Sequence, residues 1–241
     1  RLPGMTMLPL SALMTFVPMS VALFVVYQQR GASEVLAMLK REANSVTSNA
    51  ARWYVTALVF MPVVCVLEFG VLRATGSALP ALQVAPGEAI FLFAAFFVGA
   101  IGEEVGWQGY AYPFLRARHT ALSAASVLGV IWALWHVIPF AQLGHNAHWI
   151  FWHGLCAVAL RIIIVWLFEN AQQRVLIAVL FHTMSNLSWA VFPVAGSYYD
   201  PFVAFVILAA AVGLIVFLWG PATLSRFRYR RQLKPDGMQF A

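Results

Sequence analysis

Long apolar stretches alternate with short polar ones along almost the whole chain. The apolar runs fall near residues 5–27, 53–72, 88–112, 120–143, 150–168, 174–194 and 202–219. Each is close to the roughly 20 residues that a helix needs to cross about 30 Å of hydrocarbon. The runs are continuous, whereas a membrane β-barrel shows short alternating segments. The pattern predicts an all-α polytopic membrane helix bundle, about seven spans in a single transmembrane domain, 1–241. The first run holds Pro9 and Pro18, is too long for a signal peptide and lacks a clear small-residue cleavage site, so it counts as a span. In the polar stretch 28–52, the segment Ser33–Glu42 sets Val35, Leu36, Met38 and Leu39 among charges. A short interfacial helix is expected there, with Ser33 as its N-cap. Turns are expected at Pro86-Gly87, Gly144, Gly196 and Gly220-Pro221.

Composition strengthens this reading. The 241 residues are 62% hydrophobic and 10% charged, with a mean hydropathy of +0.79, against about a quarter charged in soluble domains. The net charge of +6 does not point to nucleic acid, because the basic residues gather where topology explains them. Arg30, Lys40, Arg41 and Arg52 lie in loop 28–52, Arg116 and Arg118 in 113–119, Arg174 before the sixth run, and Arg226, Arg228, Arg230, Arg231 and Lys234 in the tail. The alternate sides hold only Arg1 and Arg73. The positive-inside rule then puts the N-terminus outside and the basic tail 220–241 in the cytoplasm, where it also meets anionic lipid. The chain begins with Arg1 and not with methionine, so the native start is expected upstream; a span there leaves the remaining topology unchanged. Cys65 and Cys156 fall inside apolar runs and read as buried small hydrophobes, not as a disulfide or a metal site.

The chemistry lies in polar residues inside the spans. Glu103 and Glu104 close the third run, where ionisable groups are expensive and face a bundle interior or a watery cavity. Gly99, Gly102, Gly106 and Gly109 recur at three and four residues, one face on which another helix can approach closely. The fourth run carries Trp132 and His136, and the sixth His182 and Asn186, each pair four apart and so on one face. As interhelical glue, one such pair contributes on the order of 1 kcal/mol. Two Glu, two His and an Asn on three spans exceed what glue needs. A Glu as base, a His partner and a His/Asn pair as oxyanion donors suit water attack on a carbonyl. Adjacent helical residues stand about 100° apart, so Glu103 and Glu104 are expected to have separate roles. Counted along their helices from the cytoplasmic side, His182 lies shallower than His136. Arg161 in the fifth run can serve the glutamate pair, or pair with Glu68 in the second. His145, His148 and His153 have spacing that can bind metal, but beside Trp149 and Trp152 they suit a membrane interface better. Glu88 and Glu169 sit at span ends, where a solvated charge is expected.

This constellation resembles the CAAX prenyl protease and bacteriocin-processing (CPBP, Abi) family of intramembrane glutamate endopeptidases. Its motif Glu-Glu-x-x-x-Arg is seen as Glu103-Glu104-Val-Gly-Trp-Gln108, Phe-x-x-x-His as Trp132-Ala-Leu-Trp-His136, and His-x-x-x-Asn as His182-Thr-Met-Ser-Asn186. The resemblance covers about residues 88–194, with the polar site buried between spans three, four and six. It implies that Glu103 activates water aided by His136, that His182 and Asn186 stabilise the oxyanion, and that Glu104 and Gln108 support the pair from behind. It implies no cofactor and no metal, membrane-associated or prenylated peptide substrates, and a bacterial cell membrane as location. Two positions depart from the pattern. Trp132 for Phe is a mild aromatic exchange. Gln108 for Arg removes a cation, although a Gln one turn from Glu104 can still hydrogen-bond it. That loss keeps open a second reading, a catalytically weakened scaffold or immunity protein that binds a membrane partner. A third is a zinc peptidase with Glu103, His136 and His182 as ligands. A transporter is disfavoured, since no paired broken helices or inverted repeat are visible.

Overall fold

The computed structural model describes residues 10–40, 48–80, 86–193 and 199–225, and among these every regular element is helical. A 3-10 segment, Leu10–Phe16, leads into α1 (Val17–Arg30). It is followed by α2 (Ala32–Lys40), α3 (Ser48–Ala74) and α4 (Pro86–Gly106). A π-helical turn, Trp107–Ala111, joins α4 to α5 (Tyr112–Arg116). The chain then continues through α6 (Ala121–Gln142), α7 (Ala147–Asn170), α8 (Val175–Val191) and α9 (Pro201–Trp219). The expected turn at Gly196 and the basic tail from Arg226 onward lie outside the described residues.

Among the described residues, five helices are long and apolar enough to cross a membrane: Ala50–Ala74, Pro86–Arg116, Ala121–Gln142, Ala147–Asn170 and Pro201–Trp219. They correspond to the expected second, third, fourth, fifth and seventh runs. The sixth is α8, an apolar helix of 17 residues, about 26 Å at helical rise and so just short of the bilayer core. The expected first span is described from Leu10 as the 3-10 segment and the 14-residue α1. The protein is a multi-pass membrane helix bundle.

Local chemistry explains the helix starts. Thr120 accepts the Ser123 N–H at 3.2 Å, Asn146 the Trp149 N–H at 2.9 Å, and Asp200 those of Phe202 and Val203, satisfying donors that the first helical turn leaves open. Pro86-Gly87, expected as a turn, instead opens α4. Proline lacks the N–H that this position has no use for, and its φ is already helical. Likewise Ser33 is not a cap: α2 begins at Ala32, after Gly31 at φ +81°.

The bundle is built around α7, whose central window is 61% buried against 17–33% in the other long helices. It packs against α6, α9 and α8, while α8 also lies against α3 and α4, and α1 covers the outer side of α4. The glycine face of α4 is what admits α1. A Cβ on Gly102 would stand 2.6 Å from the Thr15 carbonyl, and one on Gly106 would run into the backbone of Pro18. Between α6 and α7 the same device recurs, a Cβ on Gly129 reaching the Val158 Cα at 2.9 Å. Close packing of backbones through small residues replaces the hydrophobic drive that lipid does not supply.

Candidate active site

Glu103 and Glu104 leave α4 in different directions, as the 100° step between neighbours requires. Glu103 lines a cavity of about 440 Å³ that also exposes Trp132, His136, His182 and Asn186. Glu104 is wholly buried behind it.

The surroundings of Glu104 are ionic. Arg161, reaching across from α7, is itself fully buried and holds the carboxylate through two hydrogen bonds, Nη1 to Oε2 at 2.6 Å and Nη2 to Oε1 at 3.0 Å. His182 Nδ1 approaches Oε1 at 2.9 Å. A carboxylate clamped by a guanidinium accepts only, so Nδ1 carries the proton and Nε2 is the nitrogen left for the cavity. Of the two partners open to Arg161 in the sequence, Glu104 is the one it takes.

Glu103 is held by neutral donors. Trp132 Nε1 donates to Oε2 at 2.7 Å. Thr15, from the 3-10 segment before α1, donates to the Gly99 carbonyl at 3.0 Å and reaches Glu103 Oε1 at 3.3 Å. His136 Nδ1 lies 2.8 Å from the Trp132 carbonyl. A carbonyl cannot donate, so this imidazole also keeps its proton on Nδ1 and, when neutral, a lone pair on Nε2. The indole of Trp132 is the hub: His136 and His182 meet it edge-on at 5.2 and 5.1 Å, and the Arg161 guanidinium lies 4.4 Å from its ring centre. The two histidines, offset in depth by helix counting, are thus brought to the same side chain, His136 from one turn further along α6 and His182 from α8. Asn186 lines the cavity one turn beyond His182.

Gln108 is not in this network. It is buried, and among the described residues neither its amide oxygen nor its nitrogen finds a partner. The expected contact with Glu104 assumed α-helical register, but the π turn starts at Trp107 and ends that register before Gln108. The support expected from Gln108 comes from Arg161 and His182 instead. Sequence reasoning missed the part played by Thr15 and, at Trp132, the hydrogen bond to Glu103. Thr15 gave no signal, because a threonine in an apolar run is unremarkable. The Trp132 exchange did give one: a tryptophan N–H is a donor that phenylalanine lacks, so the substitution adds a hydrogen bond to the cavity-facing carboxylate.

The other candidates are placed as follows. Trp149 is stacked between His145 and His153, ring centres 3.6 and 4.7 Å away and nearly parallel. Outside the spans, partial burial holds the His145 imidazole below its ordinary value. Among the described residues no group of three His, Cys, Asp or Glu side chains is arranged to hold a metal ion. Cys65 and Cys156 are buried free thiols. Glu88 stands in the first turn of α4. Glu169 is not simply solvated: it accepts from the Tyr112 hydroxyl at 2.6 Å and from Gln173 at 3.1 Å, with Arg116 at 3.8 Å.

A multi-pass helix bundle that holds a carboxylate and two oriented imidazoles against one cavity defines a class: membrane proteins that keep reactive polar groups at membrane depth. Residues 85–188 match the family described as Type II CAAX prenyl endopeptidase Rce1-like. The chain is also similar to CAAX prenyl protease 2 of Methanococcus maripaludis, 29% identical over 147 residues, which take in 54% of this chain and 53% of that protein. It therefore spans about half the length of the curated relative it matches. The matched stretch 85–188 contains every residue of the site except Thr15.

Proposed function

We propose that the protein is an intramembrane endopeptidase that hydrolyses peptide bonds of membrane-associated substrates, lipidated CAAX-like chains among them, by glutamate-activated water. The observation that carries this reading is the shared cavity of Glu103, His136, His182 and Asn186. Glu103 takes a proton from water while His136 Nε2 accepts its second hydrogen bond, and the water oxygen adds to the carbonyl carbon. Asn186 donates to the oxyanion, as does His182 from Nε2 when doubly protonated. The C–N bond then breaks and Glu103 returns the proton to the leaving amine. Glu104 and Arg161 orient His182 without touching substrate. The apolar walls of the cavity suit a lipid-linked or hydrophobic peptide, and the family match favours a prenylated one.

The test is cleavage of quenched peptides, with and without a prenyl group, by the purified protein. Glu103→Gln is expected to lower kcat by roughly 10²–10⁴-fold, the scale of a lost general base, and chelators to leave the rate unchanged. Unaltered cleavage by both Glu103→Gln and His182→Ala rules the assignment out. Activity lost to chelation and restored by zinc replaces glutamate chemistry with a zinc site. One observation favours a second reading: Gln108, uncharged and without a hydrogen-bond partner among the described residues, stands where the resembling motif has its arginine. A scaffold that kept the fold but not the chemistry cleaves neither peptide class as wild type and gains activity as Gln108→Arg.

A further inference from the structure

The cavity extends well past the reacting groups, and a second buried carboxylate stands at its far end. Parallel packing of α3 and α8 sets the scale: Phe60 meets Phe181 at 5.8 Å and Phe69 meets Phe192 at 5.6 Å. Along α8 the cavity is lined from His182 to Trp189, and along α3 from Met61 to Glu68. Each stripe advances seven residues, about 10 Å at helical rise, which an extended peptide covers in about three residues. Glu68 and Trp189 therefore mark a lobe roughly three substrate residues from the reaction centre.

Glu68 is 4% exposed. Its Oε1 accepts the Asp200 N–H at 2.7 Å, and among the described residues it has no ion pair, since Arg161 is committed to Glu104. Capping that N–H explains an acceptor at this position but not a charge, because a glutamine would cap it equally well. A buried carboxylate without a cation is costly unless a ligand supplies one. The walls beside it suit a cation too: Trp189 and Tyr199 both line the lobe, with ring centres 5.9 Å apart, and aromatic faces attract ammonium and guanidinium groups.

We infer that this lobe is a cation subsite, in which Glu68, Trp189 and Tyr199 receive a lysine or arginine side chain of the peptide about three residues from the scissile bond. The inference rests on the peptidase reading for the peptide, and its test separates the two. Quenched peptides carry a single lysine, or norleucine as the uncharged counterpart, at successive positions on either side of the bond. Their affinity for the full chain in detergent micelles is measured by anisotropy in parallel with cleavage. At one position lysine is expected to raise kcat/KM and affinity roughly tenfold over norleucine, the effect of a desolvated carboxylate and cation–π contact together. Glu68→Gln, which keeps the acceptor for Asp200, is expected to bring both ratios close to one, while Glu68→Asp retains a preference for lysine. Binding that discriminates without any cleavage overturns the peptidase and leaves the subsite standing. Equal ratios in wild type, or a lysine preference that survives Glu68→Gln, overturns the subsite whatever the cleavage result.

Discussion

An arginine at membrane depth is costly unless something compensates its charge, and Arg161 meets both a carboxylate and an aromatic face. Its two bonds to Glu104 fix that side chain, which fixes His182, while its guanidinium lies against the Trp132 ring that holds Glu103. Removing one member of a buried ion pair strands the other. Arg161→Met is therefore expected to destabilise the protein by about 3–5 kcal/mol, seen as a lower midpoint of thermal unfolding in detergent. Replacing both partners, Arg161→Met with Glu104→Leu, is expected to recover most of that loss, because no charge is then left unpaired. A double variant no more stable than Arg161→Met alone contradicts the pairing. From the sequence, Arg161 had two candidate partners, and nothing in spacing chose between them. Trp132 was legible as an aromatic, but its hydrogen bond was not, because donation depends on which way the indole edge points.

At the scale of elements, α4 does two jobs with one sequence. Its glycine face admits α1, and its last turn delivers the two carboxylates to different sides. The glycine periodicity was readable because small residues at three and four spacing define a face in any helix. Which helix would use that face was not, since the partner is set by contacts between segments about eighty residues apart, such as Thr15 against Gly99. Gly106→Ala is expected to destabilise by about 1–3 kcal/mol, the usual cost of overpacking, because its Cβ collides with the backbone of Pro18. Gly70→Ala on α3, where a Cβ meets nothing within 4 Å, serves as the control, expected within about 0.5 kcal/mol of wild type. Equal unfolding midpoints for the two variants would show that α1 does not pack on α4 as described. The π turn at Trp107–Ala111 escaped sequence reading for a different reason: a one-residue widening leaves the apolar pattern intact, yet it decides where Gln108 points.

At the scale of the whole molecule, the charge asymmetry of the loops leads us to propose that the α5–α6 connection faces the cytoplasm and the α6–α7 connection the other side. Single cysteines at Arg118 and Gln142, both exposed, test this in intact cells with a membrane-impermeant thiol reagent, Cys65 and Cys156 being buried. Gln142→Cys is expected to label and Arg118→Cys to label only after permeabilisation; the reverse pattern inverts the topology. By itself the sequence determined the helical membrane class, because runs of some twenty apolar residues have only one way to satisfy their backbones in lipid. It also determined which five polar residues, Glu103, His136, His182, Asn186 and Glu104, stand out against that background, because in an apolar span a titratable group is rare by energetic cost. Only the tertiary structure decided that Arg161 serves Glu104, that Trp132 and Thr15 hold Glu103, and that Glu68 faces the cavity with no ion pair among the described residues. Those choices depend on how helices far apart in the chain cross and rotate against one another, and no local spacing encodes that.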